Sequence, residues 1–408
     1  MSQSEQQISK KETALWIYWV ILIIAVFIQY GKTLSYGFVW DDKIVIEENP
    51  RIKKGMQSIP DLFLKFKSPY RHDQYGYRPI TLVTFALEIE FFGVRPYYHH
   101  LMNLIYYALV LLIFVSRLFQ HYIRLFAFFV VLVYVVHPLH VEVVANIKSR
   151  DELLAVLFGT LSLISYLSFL RSAKWRYMLT TVLFYLLSFF SKENAVTLTL
   201  IYPLIYFYEN KESPFANIRR LITSNIHVIV LLILSVLVFA LSESSELGKN
   251  LVVEQNIVRE DDILGNSLFH TDSLFAKLPT VLVILIMYLK LFAAPWPMVF
   301  YYGYNQVPLR SWLDPVVWMS IAIIAGLVYL VYRYRKHYPE LRFGGLMFLA
   351  SLSIYLHIIR KLSDTMADRF MFLPSLGLCI FLVGLIGMFT RLTWLRADAK
   401  KKSNQVKR

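Results

Sequence analysis

Apolar runs broken by short polar stretches repeat along this chain, and the first of them, Ala14 to Tyr30, carries no charge at all. A helix crossing roughly 30 Å of hydrocarbon needs about 20 residues. On that measure the best spans fall near 14–30, 98–116, 125–142, 153–170, 177–190, 195–208, 226–242, 316–332, 344–359 and 371–390. The 177–190 and 195–208 runs are short, which predicts tilted or broken helices. Two more apolar stretches are ambiguous: 79–93 contains Glu88 and Glu90, and 278–294 runs into Pro295 and Pro297. Both are expected to be interfacial or re-entrant, because letting either cross alone would invert everything after it. The pattern predicts an all-α polytopic membrane protein with a large first external loop, 31–96, carrying short helices.

Composition agrees. The 408 residues are 57% hydrophobic and 16% aromatic, more apolar surface than a soluble chain of this length can hide. The single cysteine, Cys379, lies in an apolar run, so an intrachain disulfide is excluded. Lys10 and Lys11 ahead of the first run suggest a signal peptide, but no small-x-small cleavage site follows, so a retained first helix is expected. The net charge of +14 does not point to nucleic acid, because the basic residues gather at the ends of apolar runs, where they orient a membrane protein.

Charge then sets topology. With a cytoplasmic N-terminus, the inner segments are 1–13, 117–124, 171–176, 209–225, 333–343 and 391–408. They hold 21 Lys and Arg against 6 Asp and Glu, which leaves 21 against 22 on the other side. Both termini are expected inside. The outer side receives 31–96, 137–152, 191–194, 243–315 and 360–369, and with them most of the acidic residues of interest.

Asp41 and Asp42 sit between Trp40 and an apolar "IVI" run. Desolvation and like-charge proximity raise a carboxyl pKa, which suits a base taking a proton from a hydroxyl, although an adjacent pair is more often a solvated loop. "HPLHVE" places His137, His140 and Glu142 within six residues; they do not make a four-ligand metal set, and boundary packing explains them better. Asp151 and Glu152, beside Lys148 and Arg150, read as an ion-pair network, a sugar clamp or an oxygen-ligand site for a divalent ion. Lys192 and Glu193 lie in a short link where unpaired charge is costly. Arg360, Lys361 and Arg369 defy the positive-inside rule, and an anionic partner such as a phosphate gives a reason; pairing with Asp364 or Asp368 is the plainer account. "YYGYNQ" (301–306) and Tyr97–Tyr98 read as an aromatic belt.

The order of these motifs resembles a known family. "FVWDDKIVIEENP", "YRPITLVTFALE", "YHHLMNLIYYAL", "HPLHVEVVANIKSRDELLA", "FFSKENAVTLTL" and "DTMADRFMFLPSLG" look like the membrane portion of the transmembrane and tetratricopeptide-repeat O-mannosyltransferases, within the GT-C class of polytopic glycosyltransferases. The resemblance covers about residues 14–390. It implies a GT-C bundle and a sugar donor, mannose on a polyprenyl phosphate, with a Ser/Thr hydroxyl of a protein as acceptor and inversion at the sugar. The first-loop acidic motif falls on Asp41 and Asp42, Asp41 being the preferred base with Asp42 close behind.

Arg369, with Lys192 and Arg360, is expected at the donor phosphate. His140, Glu142, Asp151, Glu152, Glu193, Arg78, His100, Asn103 and Tyr304 are the candidates for sugar or acceptor. No tightly bound cofactor is expected, and a divalent metal is an open option that is not favoured. No repeats follow, so the chain is expected to be a short bacterial relative in an inner membrane with a periplasmic site; an endoplasmic-reticulum membrane with a lumenal site is the other location. A glycan or lipid acceptor is the alternative within the class. A transporter, built around Glu88 and Glu90, is the non-enzymatic one.

Overall fold

The computed structural model describes residues 15–64, 75–118, 124–210, 266–268, 273–303, 305–358 and 364–390, with 230–231, 233, 271 and 362. Apart from 230–231 and 233, the expected span at 226–242 lies outside the described residues, as does the basic tail.

No strand occurs among the described residues, and the helices are α1 (Leu15–Tyr30), α2 (Ile59–Leu64), α3 (Pro79–Phe92), α4 (Pro96–Leu118), α5 (Arg124–Val136), α6 (Val141–Ala145) and α7 (Arg150–Ser172). They continue with α8 (Trp175–Ser191), α9 (Leu198–Asn210), α10 (Leu274–Ala293), α11 (Pro315–Tyr334), α12 (Pro339–Leu352) and α13 (Phe372–Thr390). Six segments, built on α1, α4, α7, α10, α11 and α13, are long and apolar enough to cross a membrane, and α5 with α6 make a seventh if one span tolerates their 60° bend. The chain is an all-α, multi-pass integral membrane protein. Three of the expected spans are shorter helices: α8 has 17 residues, α9 has 13 and α12 has 14.

The expected 125–142 span stops at Val136 because Pro138 follows. Proline lacks an N–H and pushes its predecessor out of the helical region, and His137 is extended at φ −73°, ψ 127°. The short links between α7 and α8, and between α11 and α12, make antiparallel hairpins. Contacts between the other helix ends then place the C-terminal ends of α1, α5, α8 and α12 with the N-terminal ends of α4, α7, α9, α11 and α13. Tyr134 at the end of α5 donates to the Phe372 carbonyl at 2.7 Å, and Asn194 beyond α8 donates to Glu152 at 2.7 Å. This is the site end of the bundle.

Two helices lie across the site end. Arg78 at the start of α3 and Glu88 ten residues on bond the adjacent residues Asp151 and Arg150, so α3 runs over the bundle end. The 278–294 stretch forms the continuous 20-residue α10, with no re-entrant break. Near its start Thr280 accepts from the Arg310 N–H at 2.8 Å beside α11, and near its end the Phe292 carbonyl accepts from His137 at 2.9 Å. Both ends of α10 are therefore held at the site end, although its length and apolarity would allow it to cross.

Inside the bundle, α12 and α13 cross at two glycines. A Cβ on Gly344 would stand 2.5 Å from the Gly377 carbonyl, and one on Gly377 would stand 2.6 Å from the Gly344 carbonyl. Small residues at a membrane crossing let backbones approach closely. Gly377→Ala should therefore destabilise the chain by about 1–3 kcal/mol, the usual cost of overpacking. Gly326→Ala on α11, where a Cβ meets nothing within 4 Å, should not. Thermal unfolding of the detergent-purified variants checks the contrast.

Candidate functional site

The site end gathers four ion-pair clusters, three of them linked through the start of α7. The first holds the first loop. Asp42 is fully buried; its carboxylate accepts from the Lys148 N–H at 2.8 Å and from the Val39 N–H at 3.4 Å. Burial pushes the Asp42 carboxyl up to about 6, against the opposing pull of those two N–H donors. Asp41 points outward instead, 56% exposed, and pairs with Lys148 Nζ at 2.9 Å. The adjacent carboxylates thus have different surroundings. One is fixed in the loop by the backbone and the other is presented to the surroundings.

The second cluster sits where α7 meets the turn after α8. Arg78 reaches Asp151 at 2.5 Å and grips Glu193 with Nε and Nη2, at 3.2 and 3.1 Å. Lys192 bridges Asp151 at 3.1 Å and Glu152 at 2.9 Å. Asn194 donates to Glu152 and contacts the Tyr355 hydroxyl. The helix ends at Ser191 and Lys192 turns extended, φ −159°, which aims its side chain back at α7. The third cluster is Arg369. It donates to Glu142 at 2.5 Å and to Asp364 at 2.5 Å, and its own N–H donates to the second Glu142 oxygen at 2.8 Å.

The fourth cluster lies beneath these. Arg150 is fully buried, with bonds to Glu88, to Thr84 at 3.2 Å, to Asn103 at 2.8 Å and to the His99 carbonyl at 2.8 Å, and Phe85 lies 4.3 Å from its guanidinium. Glu88 also contacts His99 at 2.5 Å. Glu88 is thereby an internal counter-ion at the bundle end and not a midplane carboxylate of the kind a transporter uses. Glu90 accepts from the Met56 N–H at 3.1 Å, over Gly55. Gly55 has φ +59°, and any Cβ there would strike the Glu90 carboxylate.

Several candidates are absorbed by packing. Asn103 is spent between Arg150 and the Asn146 carbonyl. His140 is buried between Tyr107 at 3.3 Å and Ser375 at 2.8 Å. His100 is buried with its ring edge against Tyr36. Tyr304 and Arg360 lie outside the described residues. No cluster of three or more His, Cys, Asp or Glu able to hold a metal ion occurs among the described residues.

One segment spans the interval between Asp41 and Arg369. Phe300 packs against Trp40, next to Asp41, with ring centroids 6.0 Å apart. Two residues on, Tyr302 donates to Asp368 at 2.8 Å, next to Arg369. Two extended residues cover roughly 7 Å, so this one short segment touches both the Asp41 side and the Arg369 side of the site end.

An elongated apolar cleft, open on one side, has Arg369 in its lining. Val156, Leu163, Ile201, Met347, Leu376 and Ile380 are among its walls, and Glu152, Asn194, Tyr355 and Arg369 form its head. Along α7 it extends from Glu152 to Leu167, roughly 22 Å at the helical rise. Nothing in the motif order singled out Tyr355. Asn194 was visible only as part of "SKEN".

No family model matches the chain, and no solved structure matches it. Among curated proteins it is 25% identical over 371 residues to "Protein O-mannosyl-transferase F38B6.6" of Caenorhabditis elegans, covering 88% of this chain and 50% of that protein. It is 34% identical over 145 residues to human "Protein O-mannosyl-transferase TMTC1", covering 34% of this chain and 16% of the relative. With human "Protein O-mannosyl-transferase TMTC2" it shares 27% identity over 333 residues, 74% of this chain and 37% of that protein. The chain spans half the length, or less, of these relatives. Over most of its own length, this chain is similar to the TMTC-family protein O-mannosyl-transferases.

Proposed function

We propose that this chain is a membrane glycosyltransferase that moves mannose from a polyprenyl-phosphate donor to a Ser/Thr hydroxyl of a protein, with inversion. The observation that supports the reading is the apolar cleft with Arg369 in its lining, linked to the Asp41 side of the site end by the 300–302 segment. The polyprenyl chain lies in the cleft and brings its phosphate to the headgroup level of the bundle. Asp41, the exposed member of the pair, takes the acceptor proton as the hydroxyl attacks the anomeric carbon. Arg369, with Lys192 behind it, stabilises the phosphate as its bond to the sugar breaks. Asp42 acts through the backbone, holding the loop that carries Asp41. The multi-pass chain would work in a bacterial inner membrane with the site facing the periplasm.

Mass spectrometry of acceptor peptides incubated with purified protein and polyprenyl-phosphate mannose tests the reaction. The reading fails if the wild-type protein transfers nothing to peptide.

Loss of a general base usually costs about 10²–10⁴ in rate, so Asp41→Asn should lower kcat by that range while leaving donor binding nearly unchanged. Arg369→Ala removes charge-assisted bonds worth about 1.5–3 kcal/mol, and the donor KM should rise roughly 10- to 100-fold.

pH probes Asp42. Asp42 titrates near 6 in the folded chain, above the ordinary carboxyl value, so the folded state binds this proton more tightly than the unfolded state does. Protonation therefore stabilises the fold while weakening the bonds that order the loop. Transfer should fall reversibly as pH drops through about 6 without unfolding, and Asp42→Asn should be slow at every pH and lack that inflection.

A further inference from the structure

Trp40 and Phe300 stand at the mouth of the site with no part in the chemistry assigned above. Trp40 is 75% exposed and Phe300 is 67% exposed, an unusual disposition for two large rings in contact across 260 positions of sequence. Trp40 also holds a left-handed backbone, φ +43°, which a bulky side chain adopts at a cost and which clusters at functional sites. The surroundings impose that conformation. The Asp42 N–H donates to the Val39 carbonyl at 2.9 Å, the Lys43 N–H donates to the Trp40 carbonyl at 3.1 Å, and the Asp42 carboxylate receives the Val39 and Lys148 N–H groups. Phe300 is pinned from the other side. Its neighbour Tyr302 is buried and bonded to Asp368, and the Trp296 carbonyl before it accepts from Lys290 at 2.7 Å. The two rings are thus set on backbone supports and left uncovered, and Trp40 directly precedes the exposed Asp41 in the chain.

We infer that Trp40 and Phe300 form the acceptor subsite, an aromatic ledge that seats an extended Ser- or Thr-bearing peptide so that its hydroxyl meets Asp41. The inference rests on the transferase reading and adds the residues that choose the acceptor. Position favours the acceptor over the donor. The donor's phosphate and chain are accounted for by Arg369 and the cleft, on the far side of Tyr302, whereas Trp40 directly precedes Asp41, whose carboxylate receives the acceptor's proton in this reading. Chemistry favours a peptide. Aromatic side chains supply large, stiff contact area at small entropic cost and stack on peptide planes and apolar side chains without demanding one sequence. Both rings are positioning residues; neither touches the reacting atoms.

The test compares Trp40→Ala and Phe300→Leu with wild type, using polyprenyl-phosphate mannose with a Ser/Thr peptide, and separately the slow hydrolysis of the same donor without peptide. The expected result is a peptide KM raised about tenfold or more in each variant, an unchanged donor KM, unchanged donor hydrolysis, and partial rescue by Trp40→Phe. An unchanged peptide KM overturns the inference and leaves the transferase reading intact, since the wild type still transfers. An equal rise in donor KM and loss of donor hydrolysis also overturns it, and assigns the rings to the hexose or to the membrane interface. A wild type that transfers to no peptide removes both readings.

Discussion

A guanidinium with no access to water is tolerable only when its N–H groups find acceptors and its charge finds a counter-charge, and Arg150 meets both conditions. Its partners come from two separate elements, Glu88 and Thr84 on α3 and His99 and Asn103 on α4, which Arg150 joins to the start of α7. The next residue, Asp151, is then delivered to Arg78 and Lys192, and Glu152 to Lys192 and Asn194. Lys148, one turn earlier, receives Asp41 and Asp42. The first loop, the α8–α9 turn and the start of α7 are in this way assembled around one buried cation. Exposed ion pairs would not fix such a geometry, because each is worth little in water; buried ones are costly to break, because a lost partner strands a charge.

The outline of the fold was legible because lipid imposes a simple pattern, a long uncharged run for each crossing. What that pattern could not convey is depth and tilt. The 278–294 run has the length of a span, and only the bonds of Thr280 and Phe292 place both of its ends at one end of the bundle. The 125–142 run reads as continuous, but His137–Pro138 turns the chain through 60°. The α8, α9 and α12 helices are cut short by turns that carry the site, so their apolar lengths understate their role.

For the candidate site, charged residues near span ends stand out in the sequence, since isolated charge there needs a reason. Asp41, Asp42, Asp151, Glu152, Lys192, Glu193, Arg78, Glu142 and Arg369 all gather at one end. The sequence order could not say which of them are already satisfied by one another. Nor could it separate a polar residue at the mouth from one in the wall: Asn103 and His140 fall in the same motifs as true mouth residues but face inward. Tyr355 belongs to an ordinary-looking apolar run and Phe300 to an aromatic one, and their places emerge only when distant segments pack.

The glycine crossing of α12 and α13 has a mechanical consequence. Two helices whose backbones touch cannot slide or part without losing van der Waals contact along their seam, so they move as one stiff plate. Met347, Leu376 and Ile380 give that plate one wall of the apolar cleft. Any breathing of the cleft must then come from the opposite wall, the α7 and α9 side, where Gly159 and Leu198 face each other and Pro203 leaves α9 short of one backbone bond.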